Sequence, residues 1–202
     1  MSRLVNLNNF IDGRNLPVEA CVHEAGHAIV GHCLANEAGS RLLQCQVFRE
    51  VGMDGSGGRT IMRQIPGRNL GKAAYTAQIT ILLAGIAAEE IVFGDHADGA
   101  GGSDDSDLRQ ATLIAATMEV SLGLGSSLIY LCSRRPDGVL ARLRADPMLR
   151  QLVEQTLDEC FQRARSIIAE RAAAFERLVQ ILLVSSHLPA EIIEREINAP
   201  RG

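Results

Sequence analysis

Two histidines and a glutamate stand together in the segment His23-Glu24-Ala25-Gly26-His27, and their types and spacing suit metal-dependent hydrolysis. On a helix, residues four positions apart lie on one face, so both imidazoles can reach the same metal ion. The carboxylate of Glu24 follows the first histidine and can accept a proton from a water molecule at the metal. The segment therefore predicts a zinc-dependent peptidase, with His23 and His27 as metal ligands and Glu24 as the general base.

A catalytic zinc ion needs a third protein ligand, and the spacing of the residues leaves its identity open. The three-histidine pattern H-E-x-x-H-x-x-G-x-x-H would place glycine and histidine where this chain has Val30 and Cys33, so Cys33 is interpreted as a packed thiol. The remaining candidates are downstream carboxylates, namely Glu89, Glu90, Asp95, Asp98, Asp104, Asp105 and Asp107. Each of these also suits an ordinary role as a solvated side chain or a helix cap.

The composition limits both the fold and the class of partner. The chain has 202 residues, of which 47% are hydrophobic and 22% charged, as is typical of a soluble globular domain. Aromatic residues make up only 3%, and a core built mainly from alanine and leucine favours helices over sheet. The formal net charge of −4 offers no basic surface, so we expect no nucleic-acid partner. Five cysteines without C-x-x-C spacing predict reduced thiols.

Hydrophobic periodicity predicts a mainly α fold, a multi-helix array with a small two-stranded β-hairpin. We expect a single domain, with a lead-in over 1–16, a catalytic core over 17–132 and C-terminal helices over 140–202. The predicted elements before the polar break are a helix from 17 to about 36, strands over 42–48 and 59–65, and helices over 70–93 and 107–122. The polar break covers 133–138. After it we expect a helical stretch from 146 to about 184, which breaks near Arg171, and a short helix over 189–197.

Targeting signals are not evident in the sequence. The segment before Pro17 is polar and lacks the apolar stretch of a signal peptide. The longest apolar run, over 77–88, is too short to span a bilayer and is interpreted as a buried helix. We therefore expect a cytoplasmic protein without a transmembrane segment, which meets a membrane only through a partner.

Three segments, in order along the chain, bear on the class of protein and on the identity of the third metal ligand. The first is His-Glu-Ala-Gly-His-Ala-Ile-Val-Gly-His at 23–32, and the second is Leu-Ala-Gly-Ile-Ala-Ala-Glu-Glu-Ile-Val-Phe-Gly at 83–94. The third is Ser-Asp-Leu-Arg-Gln-Ala-Thr at 106–112. They resemble the catalytic helix, the Gly-x-Ala-Ala-Glu-Glu helix and the Asn-Asp-Leu-x-x-Ala-Thr segment of the FtsH family of AAA zinc metalloproteases. The resemblance covers nearly the whole chain.

The resemblance implies a set of metal ligands. In the FtsH family the aspartate of the third segment is the third zinc ligand, which implies one zinc ion per chain bound by His23, His27 and Asp107. The loop before this aspartate is longer here than in the family, so Asp104 is the alternative ligand. The first glutamate of the family's Glu-Glu pair lies close to the metal, which implies that Glu89 orients a ligand without binding zinc.

The resemblance also implies a function. It indicates a zinc metalloendopeptidase that hydrolyses peptide bonds of unfolded or delivered polypeptides. The free edge of the predicted hairpin, at Thr60, Ile61, Met62 and Arg63, is a candidate site for pairing with an extended substrate. The alternative is a catalytically silent module for assembly or binding.

The family's motor and membrane parts have no counterpart in this sequence. FtsH chains join membrane helices and an AAA ATPase module to the protease domain, and they form hexamers. The resemblance therefore implies a homo-oligomer, and ATP dependence only through a separate or missing AAA partner. The segment Gly67–Ala73 is one residue short of a P-loop and ends in alanine where serine or threonine binds magnesium, so we expect no ATP site.

Overall fold

The structure is a computed structural model, and it describes residues 17–49, 57–97, 101 and 103–199. The predicted lead-in over 1–16, most of the hairpin turn and Asp98 lie outside these residues. The described part contains α1 (Val18–Leu34), β1 (Ser40–Val47), β2 (Gly58–Gln64), α2 (Lys72–Leu82), α3 (Ala84–Phe93), α4 (Asp107–Val120), α5 (Pro136–Ala145), α6 (Pro147–Glu170), α7 (Ala172–Ser185), β3 (His187–Pro189) and α8 (Ala190–Asn198). The predicted mainly α fold is confirmed.

Helix α1 is the central element, and most of its residues from Cys21 to Gly31 are buried. Gly26 lies in its middle, where a Cβ atom would come within 2.5 Å of the Ala84 carbonyl oxygen and 2.7 Å of the Ala88 Cβ. Only a glycine at this position lets α3 approach α1 so closely. This contact brings the Gly-x-Ala-Ala-Glu-Glu segment against the middle of the His-Glu-x-x-His helix.

The predicted hairpin is present, and a third strand extends it. The sheet is antiparallel with the order β2-β1-β3, so among the described strands β2 pairs only with β1. A bulge lies between Leu42 and Gln44, and the short strand β3 pairs with the other side of β1 from Gln44 to Gln46. Three residues are too few to show a strand periodicity, which is why the sequence did not predict β3.

The prediction of one helix over 70–93 is wrong, because two helices meet there at a bend of 43°. The break is at Leu83, whose ψ of −2° departs from helical geometry. The segment is apolar on both sides of Leu83, and periodicity alone gave no sign of the bend. In the described residues no single helix has the length and hydropathy needed to cross a membrane. Helices α2 and α3 meet both requirements only when they are counted together.

Besides strand β3, the C-terminal half differs from the prediction at the polar break. The polar break over 133–138 is shorter than predicted, because α5 begins at Pro136, which occupies the first turn of that helix. The predicted break near Arg171 is confirmed, since α6 ends at Glu170 and α7 begins at Ala172. Asp146 caps α6, with its Oδ1 accepting bonds from the backbone N–H groups of the next turn.

Two hydrophobic clusters hold the helices together. The larger one surrounds α1 and includes the fully buried Ile29, Phe175 and Leu178, while the smaller one joins α2, α4, α5 and α6. Helix α4 packs its inner face, with Ala111 and Ala115, into the smaller cluster. The beginning of α4 is therefore fixed by one cluster and α1 by the other, and this arrangement sets the distance between their polar residues.

Candidate metal centre

Three side chains from distant parts of the sequence converge beside α1. Nε2 of His23 and Nε2 of His27 are 3.0 Å apart. Oδ2 of Asp107, in the first turn of α4, lies 3.4 Å from the first of these nitrogens and 3.1 Å from the second. Among the histidine, cysteine and acidic residues that the structure describes, these three form the group that could hold a metal ion.

The separations of the three atoms fit a tetrahedral zinc site. Donor atoms bound at about 2.0–2.1 Å in tetrahedral geometry lie about 3.3 Å from one another. The observed distances of 3.0, 3.1 and 3.4 Å fall around this value. Two imidazoles and one carboxylate are also among the ligands that zinc commonly takes at catalytic sites, where a fourth position stays open.

The hydrogen bonds of the two imidazoles leave the inward-facing nitrogens free to bind a cation. Nδ1 of His23 lies 2.6 Å from Oε1 of Glu89, and Nδ1 of His27 lies 2.8 Å from the carbonyl oxygen of Ile81. A carbonyl and an ionised carboxylate only accept, so both Nδ1 atoms donate their protons. In the neutral imidazoles each Nε2 then carries a lone pair. Together with Asp107, three electron-rich atoms face one another, and the donor set therefore fits zinc.

The pKa values of His23, His27 and Asp107 show that positive charge is stabilised among these three side chains. Burial lowers the pKa of His23, but its hydrogen bonds to Asp107 and Glu89 outweigh this effect and raise the pKa to about 10. Burial likewise lowers the pKa of His27, yet the charge and the hydrogen bond of Asp107 raise it overall. Burial alone would raise the pKa of Asp107, and the two imidazoles hold it well below its usual range. A divalent cation satisfies the same demand for positive charge.

Glu89 contacts one of the three candidate metal donors, His23, without joining the group of three. Its Oε1 accepts the bond from His23, and its Oε2 accepts a 2.8 Å bond from the backbone N–H of Ala97. Burial raises the pKa of Glu89, but the hydrogen bonds from His23 and Ala97 lower it overall, so the carboxylate stays ionised. Glu89 therefore lies at the Nδ1 side of the His23 ring, opposite the nitrogen that faces His27 and Asp107.

Two alternative carboxylates lie outside the group. Glu90, next to Glu89, contacts Nδ1 of His96 at 3.3 Å and Nη1 of Arg165 at 2.7 Å. The side chain of Asp104 is 93% exposed, and its Oδ1 lies 3.2 Å from Nε of Arg109. Neither carboxylate belongs to the group formed by His23, His27 and Asp107.

Glu24 is the other buried carboxylate of the site, with 5% of its surface exposed. Its Oε2 accepts a hydrogen bond of 2.6 Å from the hydroxyl of Thr60 on β2. Burial raises the pKa of the Glu24 carboxyl, and the charges of His27 and His23 offset this only in part. A carboxylate with a raised pKa suits a group that accepts a proton and later returns it.

The four predicted hairpin residues divide between the two faces of β2. Thr60 faces α1, where it contacts Glu24, and Met62 faces it as well, with its sulfur packed against Gly31. Ile61 and Arg63 alternate with them and point to the opposite face. The sequence did not predict the contact between Thr60 and Glu24, because nothing in the spacing of two residues 36 positions apart signals it.

Gly85 belongs to the Gly-x-Ala-Ala-Glu-Glu segment, and the sequence alone gave no separate role for it. A Cβ atom at this position would overlap the imidazole ring of His23. We predict that Gly85→Ala displaces this ring and lowers zinc affinity about tenfold or more, the effect typical of disturbing a ligand's support.

Competition with a chromophoric chelator measures that affinity. Gly138→Ala is the matched control, because nothing lies within 4 Å of a Cβ atom there. If Gly85→Ala bound zinc as tightly as the Gly138 variant, the ring position shown here would be incorrect.

The fold and the site define a class of protein, namely helical domains in which an H-E-x-x-H helix and an aspartate from another helix present three candidate metal donors. The sequence profile of peptidase family M41 matches residues 18–196, and the chain belongs to this family.

Curated relatives agree with this assignment. ATP-dependent zinc metalloprotease FtsH 2 of Sphaerobacter thermophilus is 32% identical over 186 residues, which cover 89% of this chain and 26% of the relative. FtsH of Thermus thermophilus is 30% identical over 192 residues, covering 87% and 28%, and FtsH of Thermotoga maritima is 27% identical over 187 residues, covering 87% and 30%. The chain therefore spans less than a third of the length of each of these relatives, and its resemblance to the FtsH protease domain is confirmed.

Proposed function

We propose that this chain is a zinc metalloendopeptidase that hydrolyses peptide bonds of unfolded or delivered polypeptides. The observation that carries the proposal is the set of three metal donors, within 4.8 Å of one another, together with the buried carboxylate of Glu24 from the same helix. The printed names of the relatives, ATP-dependent zinc metalloproteases, support both the metal and the reaction class.

Each side chain has a distinct part in this reaction. His23, His27 and Asp107 would hold the zinc ion, and Glu89 keeps the proton of His23 on Nδ1 so that Nε2 can bind. When bound, zinc polarises the peptide carbonyl and lowers the pKa of a water molecule to about 7. Glu24 would take a proton from a water molecule as the water oxygen bonds to the peptide carbonyl carbon, and would give that proton to the amide nitrogen as the C–N bond breaks.

The edge of β2 that does not pair with β1 is the candidate binding site for the substrate. Because β2 pairs with β1 on one side only among the described strands, the backbone groups of Thr60 to Arg63 on its other side can pair with an extended polypeptide. We predict that N-methylation of alternate amides in a substrate peptide raises KM in one register and leaves it unchanged in the other. Equal effects in both registers would contradict strand pairing.

The relatives also suggest partners. Their names include ATP dependence, and the matched region is 26% of the first relative. We therefore infer that the chain acts with an AAA ATPase module, and the family resemblance implies a homo-oligomer, with a hexamer expected. Light scattering on the purified chain, alone and with a candidate ATPase, measures the assembly.

Cleavage of casein tests the proposed activity. We expect the zinc-loaded chain to cut casein, a chelator to abolish the cleavage, and added zinc to restore it. A zinc-loaded, folded chain that binds casein without cutting it would instead be a catalytically silent binding module.

A further inference from the structure

The hydroxyl of Thr60 forms the short hydrogen bond of the Glu24 carboxylate. The hydroxyl oxygen lies 2.6 Å from Oε2 of Glu24 and 3.4 Å from the backbone carbonyl oxygen of the same residue. A threonine hydroxyl has only one proton to donate. The much shorter distance assigns that proton to the carboxylate, where a charge-assisted bond is stronger than one to a neutral carbonyl.

A second residue of β2 confines the same carboxylate. A Cβ atom on Gly58 would come within 2.5 Å of Cγ and 2.8 Å of Oε1 of Glu24. Gly58 and Thr60 are two positions apart, so they share the face of the strand that meets α1. The side chain of Glu24 is therefore enclosed between its own helix and the edge strand, and the strand determines its orientation.

We propose that Thr60 is a positioning residue for Glu24: its hydroxyl donates to Oε2 and holds the buried carboxylate in one orientation. This inference rests on the proposed peptidase function, in which Glu24 is the general base. It also assigns two separate tasks to β2. The face towards α1 orients the base, while the backbone of the free edge is available to a substrate.

The proposal predicts a specific change in kinetics. Thr60→Val removes the hydroxyl but keeps the branched shape that suits a strand. The carboxylate then loses one charge-assisted bond, and kcat for a fluorogenic peptide should fall about ten- to a hundred-fold. KM should stay within about twofold, and the zinc content should stay at that of the wild type, because the hydroxyl touches neither the metal donors nor the free edge.

Thr60→Ser is the conservative variant that should rescue activity, since it keeps the hydroxyl. The proposal is overturned if Thr60→Val retains the wild-type kcat, or if serine and valine impair the chain equally and mainly through KM. Thr60→Ala repeats the comparison if circular dichroism shows that valine disturbs the fold.

A stability measurement separates this proposal from the peptidase function. In the full chain, Thr60→Val should lower the midpoint of urea unfolding, and the same change in a Glu24→Ala background should lower it much less. Equal shifts in both backgrounds would show that the bond is not formed and would overturn the proposal. A chain that cuts no peptide but shows this coupling would refute the peptidase function and keep Thr60 as the anchor of Glu24.

Discussion

Replacing Glu24 by glutamine is expected to remove nearly all peptidase activity while zinc remains bound. Glutamine has the same shape and can still accept the hydrogen bond of Thr60, so the fold around this buried position should persist. A neutral amide cannot take a proton from water at neutral pH. The expected loss in kcat is about 10²- to 10⁴-fold, the usual contribution of a general base.

The comparison requires a control at a neighbouring carboxylate. Glu90→Gln alters a half-exposed glutamate that contacts His96 and Arg165 and no metal donor, so activity should change less than about threefold. Casein cleavage and zinc content are measured on the same preparations. Equal cleavage by wild type and Glu24→Gln, with zinc bound in both, would refute the role of Glu24 as base.

The second large effect is expected when Asp107, the proposed third zinc ligand, is replaced. Asp107→Asn removes the negative charge from Oδ2, the atom that lies 3.1 Å from Nε2 of His27. A neutral amide oxygen is a much weaker zinc ligand than a carboxylate. Zinc affinity should therefore fall more than about 100-fold, beyond the loss that follows from disturbing a supporting residue, and peptidase activity should be lost with the metal.

Asp104→Asn is the matched control for this prediction, because both aspartates lie in the same stretch of chain. The side chain of Asp104 is almost fully exposed and pairs with Arg109, so its replacement should leave one zinc ion per chain. Elemental analysis after dialysis reports the zinc content. Zinc that is retained in Asp107→Asn and lost in Asp104→Asn would identify Asp104 as the third ligand.

Elements whose signals are local could be predicted from the sequence. The helix around His23 and the break near Arg171 were predicted, because hydrophobic periodicity and breaking residues act within a few positions. The bend at Leu83 and strand β3 could not be predicted in this way. Leu83 lies in a uniformly apolar segment, and β3 exists only because β1 offers it a partner at Gln44 to Gln46.

The sequence by itself determined which side chains of α1 could take part in metal-dependent chemistry. The spacing of His23 and His27 places two imidazoles on one face of a helix, with Glu24 beside them, and this follows from helical geometry alone. Spacing left several carboxylates open as the third donor, and the family resemblance favoured Asp107 with Asp104 as the alternative. Only the tertiary structure brought Oδ2 of Asp107 to the histidines across 84 positions, and the hydroxyl of Thr60 to Glu24 across 36. Such contacts depend on where α4 lies relative to α1 and on how β2 packs against α1, which local sequence patterns do not record.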